Sequence, residues 1–455
     1  MDKNTIKYTE KIINYNNYFE KNKEELFSIY KYFHIKLKNI INNTDKNNIL
    51  KKLEKKIYWL PSDIKTPFLY NDYYDKNYTF LEFIELFNQD KIKFSKKIDI
   101  TKYIKIVDNE IINVLNYIHS NRYVSLNIKL WIQNNVDTCY KYNFEHLELF
   151  YFSSSAFDYN KNNIYKNFLN LDDVITEIYI ITKWIYDINP LYKIKLYFFD
   201  TPLKKYLPNN NSSLLKIKKK YNLEDKWLSA MNVNSAFTSI NYHEIFIWRR
   251  EELYLVLIHE LFHYLLLDTK FLNDEKYEKI INNKIKSYLL LNECITEIMS
   301  NFFYIMYYSI RNGGGGGDGY GGVCNRNGDD TFLNFKEIYI NDLFFSWYQS
   351  IKILKFFNIN SLEINQLSKI KSQTAVFSYS ILKPILTTEF CEILFSFPYI
   401  NKIISNNIKE CNITKCESIV NYIKKKINVL PNKYINEAIK NIIMYEDTLR
   451  RTLYV

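Results

Sequence analysis

Glycine is confined to one short stretch of this 455-residue chain. All nine glycines lie between Gly313 and Gly328, so the chain before that stretch contains none. Phosphate-binding loops and dinucleotide-binding folds need glycine between a strand and the next helix, because only glycine lets the backbone come close to the phosphates. The distribution therefore excludes both kinds of site before Gly313. Where the backbone needs a positive φ elsewhere, we expect asparagine to supply it.

The net charge of +11 does not by itself indicate a nucleic-acid partner. Lysine, asparagine, isoleucine, tyrosine and phenylalanine are abundant together, as expected of an AT-rich genome. The basic runs are short and scattered, at 51–56, 218–220 and 424–426. Such runs favour solvated surfaces over a nucleic-acid-binding surface.

The cysteines and the apolar segments predict an intracellular, soluble protein. Six cysteines without a CxxC pair favour free thiols in a reducing compartment over a disulfide framework. Residues 1–4 begin no apolar signal segment. The most apolar windows, 253–267 and 287–310, contain histidines and glutamates that a membrane-spanning helix would not carry. We therefore expect a cytoplasmic protein with no membrane partner.

The apolar patterning predicts an α+β fold that is predominantly helical. Strands of a small sheet are predicted at three short apolar runs, 147–152, 192–199 and 243–248. Helices are predicted from apolar spacing at 21–41, 104–118, 172–187, about 251–267 and 284–311. The chain then divides into four segments: a mostly helical region at 1–140, a mixed core at 141–311, a glycine-rich flexible loop at 312–329 and a helical region at 330–455.

The helix predicted at 251–267 contains the sequence His259-Glu260-Leu261-Phe262-His263. Histidines four positions apart lie about 40° apart on one helical face, so both imidazoles can reach one metal ion. Glu260 projects about 100° away from His259, where it can touch a metal-bound water instead of binding the metal. A carboxylate in that position can accept the proton of the water.

The alternative interpretation of this motif is a buried helix that contains two histidines by chance. Burying an unpaired Glu260 in such an apolar helix would cost about 2–5 kcal/mol unless a cation compensates it. The sequence therefore favours a metal site, which normally needs three protein ligands.

The third ligand is sought in the helix predicted at 284–311. Glu293 and Glu297 share one face of that helix, so one can bind the metal while the other accepts a hydrogen bond from a ligand imidazole. Asp268, soon after His263, is a further alternative. We favour Glu293 and keep Glu297 and Asp268 open.

These two helices resemble the gluzincin class of zinc peptidases, the thermolysin-like group. Its active helix carries HExxH, and a following helix carries an Asn-Glu motif like Asn292-Glu293-Cys294-Ile295-Thr296-Glu297 here. The resemblance covers about a tenth of the chain. It implies a zincin-like catalytic core at 141–311 with additional N- and C-terminal helices. It also implies Zn²⁺ bound by His259, His263 and Glu293, with Glu260 as the base and Glu297 orienting His259.

A second resemblance lies upstream of the active helix. The segments FDTPLKKYLP at 199–208, VNSAFT at 233–238 and IWRREE at 247–252 are similar to HExxH proteins of giant DNA viruses. This resemblance implies a role in viral protein processing or virion assembly, in the host cytoplasm or the virion.

Two further parts of a peptidase site are sought. The strand at Ile245–Trp248 could bind an extended substrate by strand addition, or be an ordinary core strand. Arg249 and Arg250 could contact substrate or be solvated surface charges.

An oxyanion donor is also expected. No histidine follows His263, so a tyrosine is the natural substitute; Tyr379 is the candidate, with a core aromatic role as the alternative.

The sequence thus predicts a zinc-dependent metallopeptidase that acts on a protein or peptide substrate. The alternative is a non-catalytic virion or scaffold protein that keeps a zincin fold and binds zinc with four protein ligands. A nucleic-acid-binding function would depend on net charge alone. The sequence does not indicate an oligomeric state.

Overall fold

The structure is a computed structural model that describes part of the chain. The described residues are 23–44, 55–59, 109–121, 123–154, 171–205, 228, 233–239, 242–267, 290–312, 328–362, 364–370 and 375–387. Most of the residues in the basic runs (51–54, 218–220 and 424–426), Asp268, residues 313–327 of the glycine-rich loop and the chain beyond 387 lie outside these ranges.

Five of the nine α-helices in the described ranges overlap the segments that the apolar spacing predicts to be helical. The nine are α1 (Lys23–Asn43), α2 (Asn109–Ser120), α3 (Leu126–Asn135), α4 (Leu171–Tyr186), α5 (Leu253–Tyr264), α6 (Leu291–Asn312), α7 (Gly328–Phe356), α8 (Ile364–Leu367) and α9 (Lys383–Thr387). A π-helical turn at Ser378–Leu382 runs directly into α9. No helix in these ranges is long and apolar enough to cross a membrane.

One mixed sheet forms the centre of the described structure. Its strands are β1 (Lys55–Trp59), β2 (Thr138–Asn143), β3 (Leu147–Ser153), β4 (Ile194–Phe199), β5 (Ala236–Ser239) and β6 (Glu244–Ile247). The order across the sheet is β1-β2-β3-β4-β6-β5. The β3–β4 and β4–β6 pairs are parallel and the other pairs antiparallel. The predicted α+β class, mainly helical with a small sheet, is confirmed.

Both faces of the sheet are apolar. Alternate residues of each strand point to opposite faces, so each face has its own set of apolar side chains. On one face, an aromatic row crosses four strands in register through Phe150, Tyr197, Phe246 and Phe237. Neighbouring rings are 4.9, 4.9 and 4.7 Å apart between centroids. Helices α2 and α3 cover this face.

The other face of the sheet carries the helices that form the candidate site. Leu149, Leu196 and Ile245 lie in the same core as residues of α1, α4, α5, α6 and α7. Helix α5 packs against strands β5 and β6 and also against α4 and α6. The turn Ser378–Leu382 and helix α9 pack against α6 from the C-terminal part of the chain. Residues on both sides of the glycine-rich loop therefore surround α6.

The expectation that asparagine supplies positive φ is wrong for most such positions in the described ranges. His243, Glu252, Leu266 and Asn358 have φ of 53°, 67°, 53° and 55°. One of them, Glu252, has a tertiary contact in this conformation: its carboxylate pairs with the buried Lys205 ammonium at 2.5 Å. A non-glycine residue in this conformation costs about 1–2 kcal/mol, which the surrounding structure must offset.

The two arginines before α5 are not solvated surface charges. Arg249 is fully buried, and its guanidinium donates hydrogen bonds to the backbone oxygens of Asn234 and Leu203, at 3.1 and 2.8 Å. Arg250 forms a two-pronged ion pair with the buried carboxylate of Asp200. Both arginines therefore fasten the segment that leads into α5 to neighbouring loops.

Candidate metal centre

Helix α5 presents its two histidines from successive turns. The Nε2 atoms of His259 and His263 lie 3.1 Å apart, as the spacing of four residues predicts. Almost every other side chain of α5 is buried in the core, which fixes the rotation of the helix. The two imidazoles therefore converge because the helix cannot turn without exposing apolar surface.

Glu293, near the start of α6, completes a group of three ligand atoms. Its Oε2 lies 3.3 Å from His259 Nε2, and its Oε1 lies 3.5 Å from His263 Nε2. A tetrahedral zinc ion with bonds of about 2.0–2.1 Å separates its ligand atoms by about 3.3–3.4 Å. The distances between these atoms thus fit the ligand set of a zinc ion, and the three atoms lie within 4.8 Å of one another.

The group is open to solvent on one side. The side chains of His263 and Glu293 are 13% and 19% exposed, whereas that of His259 is 2% exposed. Burial alone would raise the pKa of Glu293, but the charges and hydrogen bonds of His263 and His259 outweigh it and hold that pKa well below its usual range. Glu293 is therefore a carboxylate, the form that binds metal.

Glu297 lies behind His259, one turn further along α6. Its Oε2 is 3.1 Å from His259 Nδ1, and its Oε1 is 3.4 Å from the ammonium nitrogen of Lys383. Glu297 is fully buried and touches the ring nitrogen that points away from Glu293. This is the position that the gluzincin resemblance implies for a residue that orients His259, and it does not suit a metal ligand.

Glu260, on the same helix, is buried beside the edge of the sheet. The hydroxyl of Thr238 in β5 donates to Glu260 Oε2 at 2.7 Å and lies 3.0 Å from the backbone oxygen of Glu260. The group of ligand atoms found among the described residues does not include Glu260. Its carboxylate is thus held by Thr238 and is not one of the three grouped ligand atoms.

Tyr379 reaches the same group from the π-helical turn. Its hydroxyl donates to Glu293 Oε2 at 2.8 Å, and its ring centroid lies 6.0 Å from that of His259. The structure therefore brings His259, His263, Glu293, Glu297 and Tyr379 together from three separate segments.

The strand suggested for substrate binding is not available for it. Residues Glu244–Ile247 pair with β4 on one side and with β5 on the other, so neither edge is open. Strand β5 is instead the last strand of the sheet in the described part of the chain. Its residues are half-buried, and it lies against α5.

Sequence reasoning missed Thr238 and Lys383. Thr238 lies in a short strand with no distinctive pattern, so only the fold reveals its contact with Glu260. Lys383 did leave a signal, because it is the one charged residue in the apolar run Ile381-Leu382-Lys383-Pro384-Ile385. A lone lysine in such a run indicates a buried charge with an acidic partner.

Comparison with known proteins identifies no relative of this chain. The chain matches no protein-family model, and neither a curated protein nor a solved structure matches it. The function is therefore argued from the site alone.

Proposed function

We propose that this protein is a zinc-dependent peptidase whose metal ligands are His259, His263 and Glu293. The observation that carries the proposal is the convergence of these three donors beside a buried carboxylate, Glu260, that is not one of them. Two imidazoles and one carboxylate are a common donor set of catalytic zinc, and such sites keep a further position for water or substrate. The exposed side of the group suits that position.

Zinc bound there would supply Lewis acidity, which lowers the pKa of water towards about 7 and polarises a carbonyl group. Glu260 then has the task of moving one proton. Its carboxylate takes the proton from the attacking water and delivers it to the nitrogen of the cleaved amide bond. Thr238 supports this role, because its hydrogen bond to Oε2 holds the carboxylate and leaves the second oxygen outside that hydrogen bond.

Tyr379 is our proposed donor to the carbonyl oxygen of the substrate. Its hydroxyl already lies beside Glu293 at the edge of the ligand group, where negative charge would develop on that oxygen. A substrate carbonyl oxygen that replaces Glu293 as the acceptor would take the hydrogen bond from the Tyr379 hydroxyl.

Strand β5 supports a peptide as the substrate. An extended chain can add to the edge of a sheet through backbone hydrogen bonds, and β5 carries Thr238, which touches Glu260. A peptide on this strand would therefore run past the base and the ligand group. Because of the resemblance to giant-virus proteins, we propose viral protein processing or virion assembly, in host cytoplasm or virion, as the setting.

The alternative, a non-catalytic scaffold with a structural or vestigial zinc, predicts an occluded site or a fourth protein ligand, for which Asp268 and Glu297 are the candidates. The carboxylate of Glu297 lies at His259 Nδ1 and not among the grouped donors. Asp268 lies outside the described residues. The partial exposure of His263 and Glu293 supports catalysis over an occluded structural metal.

The test is peptide hydrolysis by the wild type and by Glu260→Gln. A general base contributes about 10²–10⁴-fold, so we expect the variant to lose at least two orders of magnitude in kcat while it keeps its zinc. A chelator should abolish the wild-type activity, and added zinc should restore it. Equal activity of the variant and the wild type would refute the peptidase mechanism. Zinc binding without any hydrolysis of a diverse peptide library would favour the scaffold.

A further inference from the structure

We propose that Lys383 is a positioning residue of the metal centre and acts on it through Glu297 and His259. This inference depends on the proposed metal centre. The chain of contacts runs from the Lys383 ammonium to Glu297 Oε1 at 3.4 Å, and from Glu297 Oε2 to His259 Nδ1 at 3.1 Å. The opposite ring nitrogen, Nε2, faces Glu293 and His263.

Tyr379 and Lys383 have the same spacing along the chain as their two partners on α6. Tyr379 and Lys383 are four residues apart, and so are Glu293 and Glu297, their respective partners. Tyr379 lies within the π-helical turn, and Lys383 is the first residue of α9, directly after it. This continuous helical segment thus sets two side chains against two carboxylates of α6. π-Helical turns are rare and are often found at functional sites.

The contact between Lys383 and Glu297 is buried, so its presence calls for a physical reason. The side chains of Lys383 and Glu297 are 4% and 1% exposed. A buried ion pair is often no more stable than apolar residues of the same size, so global stability gives little reason for one here. A local reason is available, because one end of this pair touches a proposed ligand.

The two oxygens of Glu297 have different neighbours, and this gives the mechanism. Lys383 holds Oε1, which leaves Oε2 directed at His259 Nδ1. With its carboxylate held 3.1 Å from Nδ1, Glu297 favours the tautomer that carries its hydrogen on Nδ1, which keeps the Nε2 lone pair for the metal. Without the lysine, Oε1 would lose this charged contact, and the orientation of the carboxylate and the ring would be less tightly fixed.

The test compares zinc affinity in Lys383→Met and Lys205→Met, measured by competition with a chromophoric chelator. Lys205 is a matched control, since its buried ammonium pairs with Glu252 at the other end of α5. Partners that orient a ligand typically contribute about 10- to 100-fold in metal affinity, so we expect that loss in Lys383→Met. The control should lose stability but bind zinc like the wild type.

Two further variants show whether Lys383 acts through Glu297. Lys383→Arg should recover most of the affinity and Lys383→Gln little, because only arginine keeps the charge. These two also carry the test if Lys383→Met does not fold. In the Lys383→Gln/Glu297→Gln double variant, the loss should equal that of Glu297→Gln alone, because the two act in one chain of contacts.

The visible spectrum of the cobalt-substituted protein gives a second readout that is independent of hydrolysis. We expect Lys383→Gln to shift the cobalt bands and Lys205→Met to leave them unchanged. Wild-type affinity and an unchanged spectrum in Lys383→Gln would overturn the inference while the metal centre stands. If the wild type binds neither zinc nor cobalt, the metal centre itself is refuted, and this inference with it.

Discussion

Helix α5 has a buried polar cluster at each end, and the two clusters differ in kind. The entry cluster, before the first turn, comprises Asp200, Lys205, Arg249, Arg250 and Glu252. The metal cluster, in the last two turns and on α6, comprises His259, His263, Glu293 and Glu297. In the entry cluster, each carboxylate lies against a cation of the protein. In the metal cluster, two imidazoles and a carboxylate converge on one point.

The comparison shows that buried charge alone does not mark a functional site. Each cluster contains an almost fully buried carboxylate, such as Glu252 in the entry cluster and Glu297 in the metal cluster, and both clusters adjoin the same helix. What separates them is that the entry cluster pairs its charges within the protein, whereas the donors of the metal cluster point at a common position. The metal cluster is also the one with partly exposed donors, which gives a ligand access.

The largest effect that we expect in this comparison concerns stability. Asp200→Asn removes the charge that faces Arg250 and should lower the free energy of unfolding by about 3 kcal/mol. This is the low end of the range for a broken buried pair, because the Arg250 side chain is 17% exposed and can reach water. Denaturant unfolding measures the change. Zinc content per folded chain should stay at the wild-type value, and its loss would show that the two clusters are not independent.

His146 is a buried histidine outside the metal cluster, so it provides a further comparison. His146 Nε2 lies 3.0 Å from the hydroxyl of Thr182, and burial, with the charges of Lys183 and Lys193, lowers the pKa of His146 to about 4. Since the unfolded chain takes up this proton near pH 6.5, stability should fall as the pH drops from about 6.5 to about 4.

The expected size of this loss is about 3 kcal/mol, since each pKa unit between about 6.5 and about 4 corresponds to about 1.4 kcal/mol. Unfolding free energies of the wild type and His146→Gln, measured across that pH range, isolate it. The curve of the variant should be flatter, and zinc should not change the difference. Parallel curves for the two proteins would contradict the assignment of a buried, neutral His146.

The smallest effect should come from Thr238, which touches the metal cluster only through Glu260. Thr238→Val removes a hydrogen bond to a carboxylate and should lower kcat by about tenfold. Thr238→Ser keeps the hydroxyl and is the matched control. Zinc affinity should be the same in all three proteins. A kcat for Thr238→Val equal to that of the wild type would separate Thr238 from the reaction.

Local periodicity explains what the sequence could predict. The convergence of His259 and His263 follows from helical spacing, and the elements around them follow from apolar patterns. Glu293 lies 30 residues beyond His263. Its place near the two histidines was therefore predicted from the resemblance to gluzincins and not from local spacing. Tyr379 was a choice among 41 tyrosines, and only the fold places its hydroxyl on Glu293.

The remaining contacts depend on tertiary structure that no local pattern encodes. Arg249 looked like a surface charge because the backbone oxygens that bind it come from Asn234 and Leu203, in other loops. Glu252 adopts a positive φ where asparagine was expected, because a distant lysine holds its carboxylate. The order of strands likewise shows that β6 is paired on both sides and that β5 is the last strand among the described residues.

The most direct test of the central claim is the zinc content of purified, folded protein. We predict a single zinc ion per chain in the wild type and in Asp200→Asn, and a large loss of zinc in a folded His263→Gln variant. Elemental analysis with circular dichroism on the same samples measures both quantities. A wild-type protein without zinc that also fails to take it up when the metal is added, or a His263→Gln variant that keeps its full complement, would contradict the account.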